Sequence, residues 1–186
     1  MAFSGITYRT ARNWNSVIPV TSVPIKYLEI GTFYGANLFS VGNSYASHPE
    51  SRMYCIDPWI DYSDYHEYGG QQQSIHETFV KNLDSSGQKD KITVSRGFSH
   101  IEIPKFEDNF FDIVYIDGNH EPEYVAEDAV LAFRKLKSGG WMIFDDYGWH
   151  GPDMTQRGID GFRSAYHKRI SPLQPIVQTQ VFVQKL

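Results

Sequence analysis

Residues 111–120, FDIVYIDGNH, and residues 141–147, WMIFDDY, decide how this chain folds. Each is an apolar run of strand length that ends in acid, Asp117 after the first and Asp145 with Asp146 after the second. Between them, residues 122–136 carry Val125, Ala129, Phe133 and Leu136 at helical spacing, so the stretch reads as strand, amphipathic helix, strand. Strands joined by a helical crossover run parallel and present their carboxyl ends at one edge of the sheet. Asp117, Asp145 and Asp146 are therefore expected in one crevice. Three carboxylates so placed repel one another unless a cation sits among them, and a hard divalent ion with oxygen ligands is the simplest such cation.

The rest of the chain repeats this alternation, the signature of an α/β domain with a parallel sheet. A strand at 25–30 meets a turn, GTFYG at 31–35, that opens a helix reaching about residue 47. A strand at 52–56 ends at Asp57-Pro58. Residues 59–70, WIDYSDYHEYGG, are polar and aromatic without period and read as a lid or acceptor loop. A helix over 72–83, a turn over 84–90 and a short strand over 92–95 follow. Ser138-Gly139-Gly140 reads as the C-terminal cap of the 122–136 helix, with the next strand confined to 141–144. Residues 158–168 look helical, and 176–184 alternate like one or two closing strands.

Composition bounds the function. A chain of 186 residues, 41% apolar and 15% aromatic, supports one compact domain, read as 1–186 with residues 1–24 as an N-terminal extension. With a net charge of -5 and its 17 Lys and Arg residues scattered, it offers no broad basic surface, which argues against nucleic acid as a partner. The single cysteine, Cys55, excludes an internal disulfide and fits a reducing compartment. No stretch resembles a secretory signal or a membrane span, so the expectation is a cytoplasmic protein without a membrane partner.

Three features carry chemistry. The turn Gly31-Thr32-Phe33-Tyr34-Gly35 lets a ligand approach the backbone at a helix N-terminus, although it lacks the three glycines of the dinucleotide fingerprint. Asp57 ends the neighbouring strand, where a carboxylate suits two ribose hydroxyls; capping the turn before Pro58 is its other reading. His120 follows Asp117 by three residues, and an imidazole there can take a proton from a hydroxyl held on the metal. A metal-bound hydroxyl ionises more readily, which makes that proton easier to remove.

Taken in order, YLEIGTFYG, CIDPW, FDIVYIDGNH and LKSGGWMIFDDY resemble the class I methyltransferases that use S-adenosylmethionine, and within them the metal-dependent O-methyltransferases of the catechol and macrolide-sugar types. The resemblance covers about residues 25–147. It implies a Rossmann-like seven-stranded sheet, mostly parallel, with one antiparallel strand near the C-terminus and helices on both faces. It implies that Glu29, Gly31 and Gly35, with Thr32, Phe33 and Tyr34 between them, frame the methionine end of the cofactor. Asp57 with Pro58 would hold the ribose, Phe98-Ser99 would meet the adenine, and Asp117 would border the donor. Asp117, Asp145 and Asp146 match the metal ligands, for magnesium or manganese. His120 stands where catechol-type enzymes carry a lysine base, and His150 is a second candidate.

The implied activity is transfer of a methyl group to a hydroxyl of a sugar, in a glycan or glycoside. Trp59, Tyr62, Tyr65, His66, Tyr147, Trp149 and His150 are the expected acceptor contacts, and Tyr68 belongs to the same loop. A catechol-type small-molecule methyltransferase is the alternative of the same class. A nicotinamide-dependent oxidoreductase and a non-catalytic cofactor-binding module are the alternatives of other classes. Aromatic surface segments and the short N-terminal extension fit a homodimer.

Overall fold

The computed structural model describes residues 10–186, so residues 1–9 of the N-terminal extension lie outside the described residues. A 3-10 helix, Thr10–Ser16, precedes β1 (Lys26–Ile30), α1 (Ala36–Gly42), β2 (Arg52–Ile56), α2 (Gln72–Ser85), β3 (Ile92–Ser95) and the short α3 (Ser99–Glu102). Then come β4 (Phe111–Ile116), α4 (Pro122–Lys135), β5 (Leu136–Phe144), α5 (Thr155–Ala165), β6 (Ile176–Val177) and β7 (Gln180–Gln184). Among the described residues one sheet holds all seven strands, in the order β3-β2-β1-β4-β5-β7-β6. Strands β1 to β5 pair in parallel, β7 runs antiparallel to both β5 and β6, and so β7 is the one reversed strand.

From β1 the chain winds outward through β2 to β3, then returns to β4 on the other side of β1. Such a reversal opens a crevice beyond the carboxyl ends of the strands. Register makes this crevice sharp. Ile30 lies opposite both Ile56 and Ile116, and Ile116 lies opposite Phe144, so four strands end in line. Gly31, Asp57, Asp117 and Asp145 each follow one of those last residues and emerge along a single edge.

Both faces of the sheet are covered, which is why its central strands read as mostly apolar runs rather than a strict alternation with polar residues. On one face Tyr27, Cys55, Tyr115 and Phe182 pack with Leu38 and Phe39 of α1, Ile75 and Phe79 of α2, and Trp14. On the other, Leu28, Val114, Met142 and Phe144 pack with Val125, Ala129 and Phe133 of α4 and Ile159 and Phe162 of α5. Among the described residues no helix is long and apolar enough to cross a membrane.

Three boundaries depart from the sequence reading. Helix α1 ends at Gly42 rather than near residue 47, where the Gln88 amide reaches in from beyond α2 and donates to Phe39 O and Asn43 Oδ1. Gly42 leaves room for that amide: a Cβ there would fall 1.8 Å from Gln88 Oε1. Ser138-Gly139-Gly140 does not cap α4; it forms the bulged first half of β5, in which Phe111 faces Leu136 but Ile113 already faces Trp141. The α4 carbonyls find their partner elsewhere, since buried Lys185 Nζ donates to Phe133 O at 3.0 Å and to Leu136 O at 2.5 Å. Helix α5 begins at Thr155 rather than Gly158. Gly158 lies inside it because α4 passes so near that a Cβ would sit 2.5 Å from Pro122 O.

Candidate active site

A cavity of about 810 Å³ opens along the strand-end edge. One wall is the turn after β1. Gly31 adopts φ +79°, and a Cβ on it would lie 1.9 Å from Asp117 O, so only glycine lets this turn pass the tip of β4. Thr32 and Phe33 donate their backbone N–H groups to Asp57 Oδ2 at 3.0 and 2.9 Å, and the Trp59 N–H donates to Asp57 Oδ1 at 2.8 Å. Asp57 thus ties β2 to the glycine turn while lining the cavity. Burial raises its carboxyl above the usual range, against those three amides.

Glu29 lies at the floor of the same wall, 1% exposed, accepting from Tyr27 Oη at 2.6 Å and Asn37 Nδ2 at 2.8 Å. Burial pushes its carboxyl up to about 8, while the Tyr27 and Asn37 hydrogen bonds oppose the shift. Tyr34, Pro58, Phe98 and Ser99 also line the cavity. Gly35 does not. At φ +84° it backs onto the Phe39 ring, so its glycine serves the turn and the packing.

The opposite wall is acidic. Asp117 follows β4, and Asp145 with Asp146 follow β5, Asp146 at φ +53°. His120 Nε2 lies 3.4 Å from Asp146 Oδ2 and 3.9 Å from Asp117 Oδ1, and ligand atoms of these three residues all fall within 4.8 Å of one another. His120 Nδ1 lies 3.0 Å from Glu67 Oε1, which fixes the ring from behind. Asp145, expected as a third metal ligand, is not in this group and is held differently. Its Oδ2 accepts from the Tyr115 hydroxyl and from Gln180 Nε2 at 3.3 Å, and its Oδ1 accepts the Asp146 N–H at 2.8 Å.

The electrostatics follow from this crowding. Burial, then the Asp145 charge, raises the Asp117 carboxyl well above the carboxylate range. Burial alone would lower the His120 imidazole, but Asp117, Glu67 and Asp146 outweigh it and drive its proton affinity up. A pocket whose carboxylates hold protons this strongly has an excess of negative field. The carboxylate oxygens of Asp117 and Asp146 suit a hard divalent ion such as magnesium or manganese, with His120 Nε2 beside them as a proton acceptor, so the donor chemistry fits the cation expected from sequence.

Loop 59–70 roofs the cavity. Asn119 Nδ2 donates to Tyr62 Oη at 3.2 Å and to Asp64 O at 2.9 Å, and Tyr124 Oη donates to Asp64 Oδ2 at 2.6 Å. Tyr62, Tyr65 and Trp149 face the cavity as expected acceptor contacts, joined by Tyr68. Four expected contacts lie elsewhere. Trp59 is core, 1% exposed, stacked on Phe79 at 4.7 Å with its indole N–H donated to Phe33 O. Tyr147 turns to the other side of the sheet, where its hydroxyl meets Asp160. His66 and His150 are exposed and outside the cavity lining.

Sequence reasoning missed Glu67, Tyr115, Gln180 and the buried Asp128, which lines the cavity beside Gly118. Tyr115 was within reach: it precedes Asp117 by two on a strand and so shares its face. Gln180 enters from the C-terminal hairpin and gave no local signal.

Comparison with known proteins gives the family and the fold. The methyltransferase-domain family matches residues 28–147. A curated relative, the uncharacterized protein R132 of Acanthamoeba polyphaga mimivirus, is 28% identical over 124 residues, 66% of this chain. The chain spans about half the length of that relative, 52%. Among solved structures, the O-methyltransferase TomG from Streptomyces achromogenes, in complex with SAM, superposes with a TM-score of 0.64 at 18% identity, over 86% of this chain and 72% of TomG. A candidate rRNA-methylase from Clostridium thermocellum superposes with a TM-score of 0.72 at 12% identity over 98% of both chains. At such identities the likeness is one of fold.

Proposed function

The chain belongs to the methyltransferase-domain family and has the Rossmann-like class I fold, and on that premise we propose that it is an S-adenosylmethionine-dependent O-methyltransferase that uses a divalent ion to present a sugar hydroxyl. One observation carries the proposal: the glycine turn and the Asp117–His120–Asp146 group face each other across one cavity at the reversal of strand order. A cofactor cradle beside a cation seat is what metal-assisted methyl transfer to a hydroxyl requires. The O-methyltransferase TomG, solved with SAM, shares the fold and supports the choice of donor and acceptor atom.

Bound S-adenosylmethionine supplies an electrophilic methyl on a sulfonium. Glu29 and the Gly31–Tyr34 turn would hold its amino-acid end, Asp57 with Pro58 its ribose, and Phe98 with Ser99 its base. Asp117 and Asp146, with Asp145 beside them, would hold a divalent ion, whose Lewis acidity would ease ionisation of an acceptor hydroxyl. His120 takes the hydroxyl proton at Nε2, the nitrogen facing the seat, while Glu67 accepts the Nδ1 proton and keeps Nε2 open. The roof of loop 59–70 limits water, and fixing two partners in line provides much of the rate.

A sugar is the acceptor that the aromatic rim suits. Trp149 and Tyr68 stand 44% and 41% exposed at the mouth, with Tyr62 and Tyr65 behind, giving flat faces for a pyranose ring beside oxygen-rich carboxylates. The test is a methyl-transfer screen over glycosides with vicinal hydroxyls and over catechols. Transfer to glycosides is expected, and His120→Ala should cost about 100-fold or more in kcat. Rapid methylation of catechols with none of glycosides would replace the sugar by a phenol, and a loss of only a few-fold in His120→Ala would remove it as base.

A further inference from the structure

We infer that Trp14, Gln180 and Tyr115 form a hydrogen-bonded chain that sets the direction of the Asp145 carboxylate. Residues of the N-terminal 3-10 helix and the C-terminal hairpin thereby act as positioning residues for the cation seat. The inference rests on the divalent-ion reading above and goes beyond it.

The chain lies behind the acidic wall, with Trp14 and Tyr115 0% exposed and Gln180 4%. Trp14 Nε1 donates to Gln180 Oε1 at 2.8 Å. Gln180 Nε2 lies 3.3 Å from Asp145 Oδ2 and 3.4 Å from Tyr115 Oη. The Tyr115 hydroxyl donates to that same Asp145 Oδ2 and lies 3.5 Å from Asp117 Oδ2. Three segments far apart in sequence thus converge on one carboxylate.

Donor chemistry gives this chain a direction. An indole N–H can only donate, so the amide atom of Gln180 that faces Trp14 must be its oxygen. The amide NH2 then points at Asp145, which only accepts when ionised. Without the indole N–H the amide is free to turn over, and its oxygen would face the carboxylate and repel it. The Tyr115 phenol, lying between Asp145 and Asp117, also keeps the two strand tips at one spacing. Met at position 180 and Phe at position 115 would fill similar volumes, so packing alone does not call for the polar atoms of Gln180 and Tyr115. Buried polar groups are costly unless fully paired, and these are paired toward the site. Partners behind a metal ligand typically change metal affinity by 10–100-fold when removed.

The test is Mn2+ binding to the full chain, followed by electron paramagnetic resonance without methyl donor or acceptor. S-adenosylhomocysteine affinity and melting temperature are measured alongside. Tyr115→Phe, Gln180→Met and Trp14→Phe should each raise the Mn2+ Kd about tenfold or more while leaving S-adenosylhomocysteine affinity unchanged. Trp14 is hydrogen-bonded toward Asp145 only through Gln180, and Phe keeps a ring against Tyr115, whose centroid lies 5.4 Å from that of Trp14, so Trp14→Phe combined with Gln180→Met should be no weaker than Gln180→Met alone, a departure from additivity. Tyr115→Phe is the smallest change and keeps the test open where a Trp14 variant melts early. Wild-type Mn2+ affinity in all three variants, or a double variant whose losses add, overturns the chain. A wild-type protein that binds no Mn2+ overturns the divalent-ion reading itself, and the chain with it.

Discussion

Gly31→Ala puts the construction of the site to a direct test. Its added Cβ would lie 1.9 Å from Asp117 O, 2.5 Å from the Asp117 carbonyl carbon and 2.7 Å from Gly118 Cα, all backbone atoms that no rotamer change can move. The φ of +79° adds to this, because an L residue in that region costs about 1–2 kcal/mol. Overpacking against fixed atoms contributes about 1–3 kcal/mol more. A chain of this size loses about 2–4 °C in melting temperature per kcal/mol, so Gly31→Ala should melt of order 10 °C lower. Relief requires the β1 turn and the β4 tip to part by about 1 Å or more, and misplacement of that size can cost about 100-fold in rate. Differential scanning calorimetry and single-turnover methyl transfer read the two effects. A variant that melts and reacts like wild type would show that the turn does not abut Asp117, and the shared wall of the two subsites would be lost.

Other perturbations separate the structural parts from the chemical ones. Trp59→Ala should destabilise by about 3–5 kcal/mol, as truncation of a buried Trp does, with no change in acceptor KM for the protein that remains folded. A specific rise in KM would return Trp59 to the acceptor site. Burial raises the Asp128 carboxyl from 3.8 to about 7, so the native state binds a proton more tightly than the unfolded chain. The contribution of Asp128 to stability is fully present below pH 3.8 and is lost as the pH rises through about 7, and Asp128→Asn should remove that component from a melting series. An unchanged slope contradicts the shift. Lys185→Met removes the cation that closes α4 and should lower stability by about 1.5–3 kcal/mol, read by denaturant unfolding. A neutral effect would mean that solvent satisfies those carbonyls.

What could be read from sequence divides by range. The strands were legible because both faces of the sheet are buried, so each appears as a short apolar run bounded by turn residues, and β2, β3 and β4 begin and end where the runs do. Carboxylates at strand ends were legible because parallel topology aligns them. Glycines misled wherever their reason was a distant neighbour. Gly139 and Gly140 look like a helix cap but serve a bulge whose N–H and C=O pair with Lys185, 45 or more positions on. Gly158 looks like a helix start but makes room for α4. Trp59 looks like a loop aromatic, yet Phe79 and Phe33 O, both outside its segment, draw it into the core. Glu67, Gln180 and Trp14 carry no motif at all, because their roles exist only once the hairpin, the lid and the N-terminal 3-10 helix have met.

The central claim is that one cavity seats a methyl donor beside a divalent ion held by the tips of β4 and β5. Its most direct test follows methyl transfer from labelled S-adenosylmethionine to a reactive hydroxyl acceptor in excess EDTA, then after Mg2+ or Mn2+ is restored. Transfer should vanish with the chelator and return with the metal, and Asp117→Asn should abolish the recovery. Undiminished turnover in EDTA would contradict the account.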